Sequence, residues 1–166
     1  MFELKTLSLE AVPRALAKAE RYRLLNEPGE AESICLDVLA IDATNQEAIV
    51  MLLLAITEQF ETHAHSVGEA WKAVERLQNE YERTYYTGII HERRAKALLK
   101  QATPRGGPRA YHWLREAMAS YEQAEALRPP NNDDALLRWN ACARLIMSDH
   151  NLVPMSEEPS EPLLSE

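Results

Sequence analysis

Apolar residues recur at helical spacing along most of the chain, with polar residues between them. Val12, Ala15, Leu16, Ala19 and Tyr22 share one face of a first helix, which Ser8 can cap and Pro13 can enter in its first turn. It should stop near Asn26. Pro28 suits a first helical position, and Glu30 and Glu32 favour the positive helix start, so a second helix follows to about Ile41. Thr44-Asn45-Gln46-Glu47 has capping-box spacing and opens a third helix. Its IVMLLLAI run is apolar all round, as expected of a helix covered by neighbours on both sides. Ser66-Val67-Gly68-Glu69 repeats the capping pattern before a fourth helix that turns Ala70, Val74 and Leu77 inward.

A fifth helix is expected over about 88–102, with Ala95, Leu98 and Leu99 apolar. Tyr81, Tyr85, Tyr86 and Gly88 fall near its start, where the pattern draws no sharp boundary. The run Thr103-Pro104-Arg105-Gly106-Gly107-Pro108 is the clearest break, combining two prolines with two glycines. Ala117, Tyr121 and Ala124 then form the stripe of a sixth helix, which Pro129 and Pro130 close because neither has an N–H to donate. Asn131 and Asn132 can cap a seventh, on which Ala135, Leu136, Trp139, Ala143 and Ile146 share a face. Glycine is scarce, and no alternating Val, Ile and Thr run predicts a sheet. The fold class is all-α.

Small, aromatic, small, then proline in Ala117, Tyr121, Ala124 and Pro129 resembles the second helix of a tetratricopeptide repeat (TPR), a helix-turn-helix unit of about 34 residues. Ala31, Cys35, Val38 and Ala43 occupy the corresponding places earlier in the chain. Ala19 and Tyr22 match the small and aromatic positions of the first TPR helix. Ala70, Val74 and Leu77 keep the stripe in a middle copy that lacks the closing proline, and the Trp-x-x-Leu-Gly signature is missing from every copy. The resemblance covers about residues 12–148. It implies a right-handed α-solenoid of about three TPR-like helix pairs plus a C-terminal capping helix, since stacked pairs leave the last apolar face bare. The helical domain is accordingly assigned to residues 1–149. Residues 150–166 form an acidic, proline-rich tail, whose last sixteen residues hold three prolines, four glutamates and no lysine or arginine. Such a segment cannot bury enough surface to offset its ordering entropy and is expected to be disordered. Leu163 and Leu164 in it are a candidate docking motif.

A net charge of −8 opposes binding to nucleic acid, whose phosphates require a basic surface, and to anionic membranes. The start MFELKTLSLEAV lacks a basic stretch followed by an apolar run, and the apolar segment from Ile49 to Ile56 is too short to span a bilayer. Cys35 and Cys142, far apart in sequence, read as free thiols in a reducing compartment, and the expected location is cytoplasmic.

Candidate chemistry adds little to this picture. His63 and His65 flank Ala64 with Glu58 and Glu61 nearby, but histidines at i and i+2 do not share a helix face, so no metal site is expected. His91 and His112 stand apart, and no phosphate loop, nucleophile elbow or CxxC pair occurs. No catalytic residue and no cofactor is assigned, and the chain is not expected to be an enzyme. The resemblance implies a non-catalytic interaction module, scaffold or accessory subunit that binds a protein segment in a concave groove lined by first helices. Projected onto the chain, that groove takes Glu20, Arg23, Glu47, Thr57, Glu58, Glu92 and Lys96, extended by Asn140 and Arg144. Its acidic excess points to a basic or amphipathic helical partner, with self-association through an apolar helix face also open. Leu16 and Glu20 stand where chaperone-tail receptors carry carboxylate-clamp residues, which disfavours that ligand. The alternative reading is a small-molecule-binding or enzymatic helical domain with a pocket near the histidine and tyrosine clusters.

Overall fold

A computed structural model describes residues 1–62 and 66–156 of the chain. All regular structure among these residues is helical: α1 (Val12–Leu24), α2 (Pro28–Ile41), α3 (Gln46–Thr57), α4 (Ser66–Glu75), α5 (Glu80–Gln101), α6 (Gly106–Leu127) and α7 (Asp134–Ser148). The expected His63 and His65 loop and the Leu163–Leu164 motif lie outside the described residues.

Local chemistry sets the helix ends. Ser8 makes no capping bond; a short 3-10 turn, Leu9–Ala11, precedes α1 instead, with Pro13 in the first turn of the helix. At the far end Asn26 adopts a left-handed conformation (φ 60°). The N–H groups of Asn26 and Glu27 then reach back to the carbonyls of Arg23 and Tyr22, both at 2.9 Å, which satisfies the last turn and aims the chain at Pro28. Asn45 rather than Thr44 caps α3, its side chain accepting from the Ala48 N–H at 2.9 Å. Asn79 does the same for α5 through the Glu82 N–H at 3.0 Å.

That cap corrects the fifth helix, which begins at Glu80 rather than near residue 88. Tyr81, Tyr85 and Gly88 therefore lie within it. Gly88 is required by packing: a Cβ there would stand 2.5 Å from Cε1 of Tyr121, so the ring of α6 rests directly on the backbone of α5. The break before α6 is also shorter than expected, because the helix starts at Gly106 and takes in Pro108.

Packing runs along the chain. α2 lies against both α1 and α3, α3 against α4, α4 against α5, α5 extensively against α6, and α6 against α7. In addition α3 touches α1 and α5 directly, so the first, third and fifth helices form a contacting series. Two apolar clusters result. One joins α1 to α4 with Ile90 and Ala97 of α5; the other joins Ile89 and Ala95 of α5 to α6 and α7. α5 is thus the wall between them, contributing residues to each. The alanines expected at close approaches, Ala19, Ala31, Ala117 and Ala124, are all fully buried.

The packed chain continues past the expected boundary at residue 149. Leu152 is 3% exposed and joins the second cluster. Asn151 comes so close to α6 that a Cβ on Gly107 would meet its carbonyl oxygen at 2.3 Å. The glycines of the break therefore serve this return of the chain as well as the turn. No helix among the described residues is long and apolar enough to cross a membrane.

Candidate functional site

The nine residues projected onto a groove separate into three groups. Glu20, Glu47 and Arg144 are exposed, and Asn140 is half-buried. Arg23 and Glu58 are consumed by each other: the guanidinium of α1 grips the carboxylate just beyond α3 with Nε at 3.1 Å and Nη2 at 2.5 Å from Oε1, while Nη1 approaches the sulfur of Met51 at 3.6 Å. This fork cross-braces α1 and α3.

Thr57 and Glu92 are buried, and for both the expectation of groove exposure is corrected. Thr57 is 2% exposed because its hydroxyl donates to the Leu54 carbonyl at 2.9 Å, which satisfies it inside the helix and frees it from solvent.

Glu92 is fully buried and accepts four hydrogen bonds from three side chains. The Tyr121 hydroxyl of α6 donates to its Oε2 at 2.6 Å, and Arg138 Nε of α7 to the same oxygen at 3.1 Å. Its Oε1 accepts from Lys96 Nζ at 2.6 Å and from Arg138 Nη2. Burial acts to raise the Glu92 pKa, but the hydrogen bonds from Lys96 and Tyr121 and the charges of Arg138 and Lys96 outweigh it and hold the pKa below its ordinary value. Burial disfavours the Arg138 charge as well; the carboxylate beside it more than compensates and raises its pKa. The Tyr121 pKa is raised by burial first and then by the neighbouring carboxylate. The i, i+4 spacing of Glu92 and Lys96 is legible in sequence, whereas Tyr121 and Arg138 arrive from other helices and leave no local signal.

The tyrosines pack on one another. Tyr81 stacks on Tyr85 with ring centroids 5.8 Å apart, Tyr85 meets Tyr86 edge-on at 5.1 Å, and Tyr85 also contacts Tyr121. A second aromatic group lies along the other face of α5. His91 stacks on Trp113 at 5.3 Å and meets Trp71 edge-on at 5.2 Å, while the Arg94 guanidinium covers Trp113 at 3.8 Å from the ring centroid. Burial lowers the His91 pKa; Glu116 opposes that shift, whereas Arg94 and His112 add to it. His91 Nδ1 is buried without a hydrogen-bond partner among the described residues. His91 and His112 stand apart in the sequence, which gives no sign of their convergence with Trp71 and Trp113.

Both thiols are buried, and both pKa values are pushed up to about 12, chiefly by desolvation. They are therefore protonated and unreactive at neutral pH. No group of three or more His, Cys, Asp or Glu residues among the described residues has the arrangement of a metal site. No protein-family model, curated protein or solved structure matches this chain.

Proposed function

We propose that the chain is a non-catalytic, TPR-like helical-repeat module that binds a segment of another protein along the side formed by its first, third and fifth helices. The observation that carries this reading is the direct contact of α3 with both α1 and α5, on top of the sequential packing of neighbours. Contact between alternate helices is what a stack of helix pairs requires, and such stacks act through extended surfaces. The small residues at 19, 31, 117 and 124, all fully buried, add support from the repeat pattern. The right-handed solenoid and the capping role of α7 belong to the same proposal.

The electrostatics favour binding over catalysis. Glu92 is held ionised by three donor side chains, the thiols are held protonated, and the tyrosine pKa values of Tyr81, Tyr85, Tyr86 and Tyr121 all move upward through burial. Each shift deepens the resting state of its group. A general acid or base needs the opposite, a pKa drawn toward the working pH.

With Glu58 and Glu92 neutralised inside the fold, Glu20 and Glu47 are the open acids of the projected surface. The partner is an amphipathic helical segment, read by its apolar face and oriented by its charges against Glu20, Glu47 and Arg144. Affinity capture should identify it, and titration of the purified pair should then show weaker binding for Glu20→Lys/Glu47→Lys, with the loss growing as salt is lowered. Equal affinity of this variant at low salt would remove the surface from the proposal. A stoichiometric metal or cofactor in the purified protein would overturn the non-catalytic reading.

A further inference from the structure

Between the C-terminal half of α5 and the N-terminal half of α6 lies a cavity of about 190 Å³, with Phe60, Val67, Leu98, Arg94, Arg109 and Trp113 in its wall. Small-molecule sites run to roughly 300–1,000 Å³, so this volume suits the side chains of a peptide. Arg23, Arg128, Arg138, Lys72, Lys96 and Lys100 each face a carboxylate at salt-bridge distance. Arg94 and Arg109 face none among the described residues, as is also true of surface cations such as Arg14, Arg115 and Arg144, but these two border one apolar wall. Arg94 is also partly desolvated, its guanidinium carbon 3.8 Å from the Trp113 ring centroid, and feels the like charge of Arg109. An apolar wall bearing two neighbouring uncompensated cations is complementary to an acidic, apolar segment.

Such a segment leaves the fold next to the cavity. Leu152 is packed into the second cluster, and Val153 shares a neighbouring hollow with Leu98, the residue that also borders the arginine cavity. Residues 157–166, EEPSEPLLSE, carry four glutamates, two adjacent leucines and no cation. Ten extended residues reach roughly 33–36 Å, ample for two hollows that share a wall. We propose that the Arg94–Arg109–Trp113 cavity is a binding site for an acidic, leucine-bearing segment, and that its occupant is residues 157–166 of the same chain. The two adjacent leucines of that segment match the apolar wall of Trp113, Leu98 and Phe60, and its glutamates complement the two arginines in charge. A larger basic hollow, about 480 Å³ and bordered by Arg14, Lys18 and Arg21, sits on α1, but nothing connects it to the exit of the chain. The contact is intramolecular and stands independently of the proposed partner surface.

The test is nuclear magnetic resonance on the isotope-labelled full chain, following the Trp113 indole N–H, the Arg94 Nε–H and the amides of residues 157–166. In the wild type the amides should depart from random-coil positions. Leu163→Ser/Leu164→Ser and Arg94→Glu/Arg109→Glu should each return them to those positions, and the leucine variant should also move the Trp113 signal. Lys18→Glu/Arg21→Glu should change neither. Arg109→Glu alone, at an exposed position, provides the same comparison if the double variant loses helicity. Random-coil amides in the wild type, together with a Trp113 signal unmoved by the leucine substitutions, would overturn the proposal. So would release by Lys18→Glu/Arg21→Glu, which puts the segment on α1, or loss of the shifts on tenfold dilution, which assigns the occupant to a second copy.

Discussion

Replacing Glu92 with glutamine changes little in shape and removes the charge on which three donors converge. Removing one member of a buried ion pair costs about 3–5 kcal/mol when the remaining charge is trapped. Here the trapped charges have partial escape, because the side chains of Arg138 and Lys96 are 31% and 42% exposed and can turn toward water. Tyr121 cannot, being fully buried, but its hydroxyl can still donate to the amide oxygen. The amide NH₂ then confronts a donor, Arg138 or Lys96, where an acceptor stood. Hydrogen bonds to charged groups contribute about 1.5–3 kcal/mol each, and at least one is lost outright. The balance is a loss of about 2–4 kcal/mol, or roughly 4–16 °C in Tm for a domain of this size. Urea denaturation followed by circular dichroism at pH 7 reads it directly, and the m-value should not change. The sign of the pH dependence gives a second check. The folded-state pKa of Glu92 is depressed, so its stabilisation is complete above the unfolded value of about 4.5 and is lost as pH falls through the folded value. The gap between wild type and Glu92→Gln should therefore close on acidification. A loss below about 1 kcal/mol at neutral pH, or a gap that persists into strong acid, would refute the reasoning.

Gly88→Ala, which in an ordinary helix interior gains about 0.5–1 kcal/mol, should destabilise this protein by a net 1–2 kcal/mol, because the Tyr121 ring is pinned 2.5 Å from the new methyl; in a Tyr121→Leu background the same change should become stabilising. Ala117→Leu should cost about 1–3 kcal/mol by overpacking the interface between α5 and α6, and an unchanged melting temperature would place Ala117 away from it. His91→Phe should flatten the stability profile just below pH 6.5, since the lowered His91 pKa stabilises the fold above the unfolded value and that contribution fades as pH drops through the folded one; identical profiles for variant and wild type would show that His91 keeps its unfolded-state pKa.

The sequence pattern located the seven helices and their buried stripes because periodicity records which face is apolar, and a helical stack needs little else. It failed where a distant contact overrides local preference. Gly88 falls in the sequence near a boundary without a sharp position, yet it sits inside α5, where α6 lays Tyr121 on it. The two glycines before Pro108 read as pure turn, yet Gly107 makes room for Asn151 returning from the end of α7. The expected exposure of Thr57 and Glu92 failed for a related reason. Helical register says which face a charge occupies, but not whether a counter-charge waits on another helix. Arg138 and Tyr121 answer Glu92, and Glu58 answers Arg23, only once the chain has folded.

In an array of helix pairs each interface involves near neighbours, and stability is close to a sum of local contributions. The Glu92 network departs from that rule by binding α5, α6 and α7 through one carboxylate. A buried polar network with every member satisfied couples the elements that supply it, so these three helices should open together. α5 also supplies Ile90 and Ala97 to the N-terminal cluster, so its loss would open both. The same bonding withdraws Glu92, Lys96 and Arg138 from recognition, because a carboxylate holding three donor side chains leaves little capacity for a fourth. Selectivity for a ligand must then rest on charges the fold leaves unanswered, among them Glu20, Glu47 and Arg144 at the surface and the Arg94–Arg109 pair beside Trp113. The first set is mixed with an acidic excess and the second is purely basic, so they call for ligands of different character at separate places.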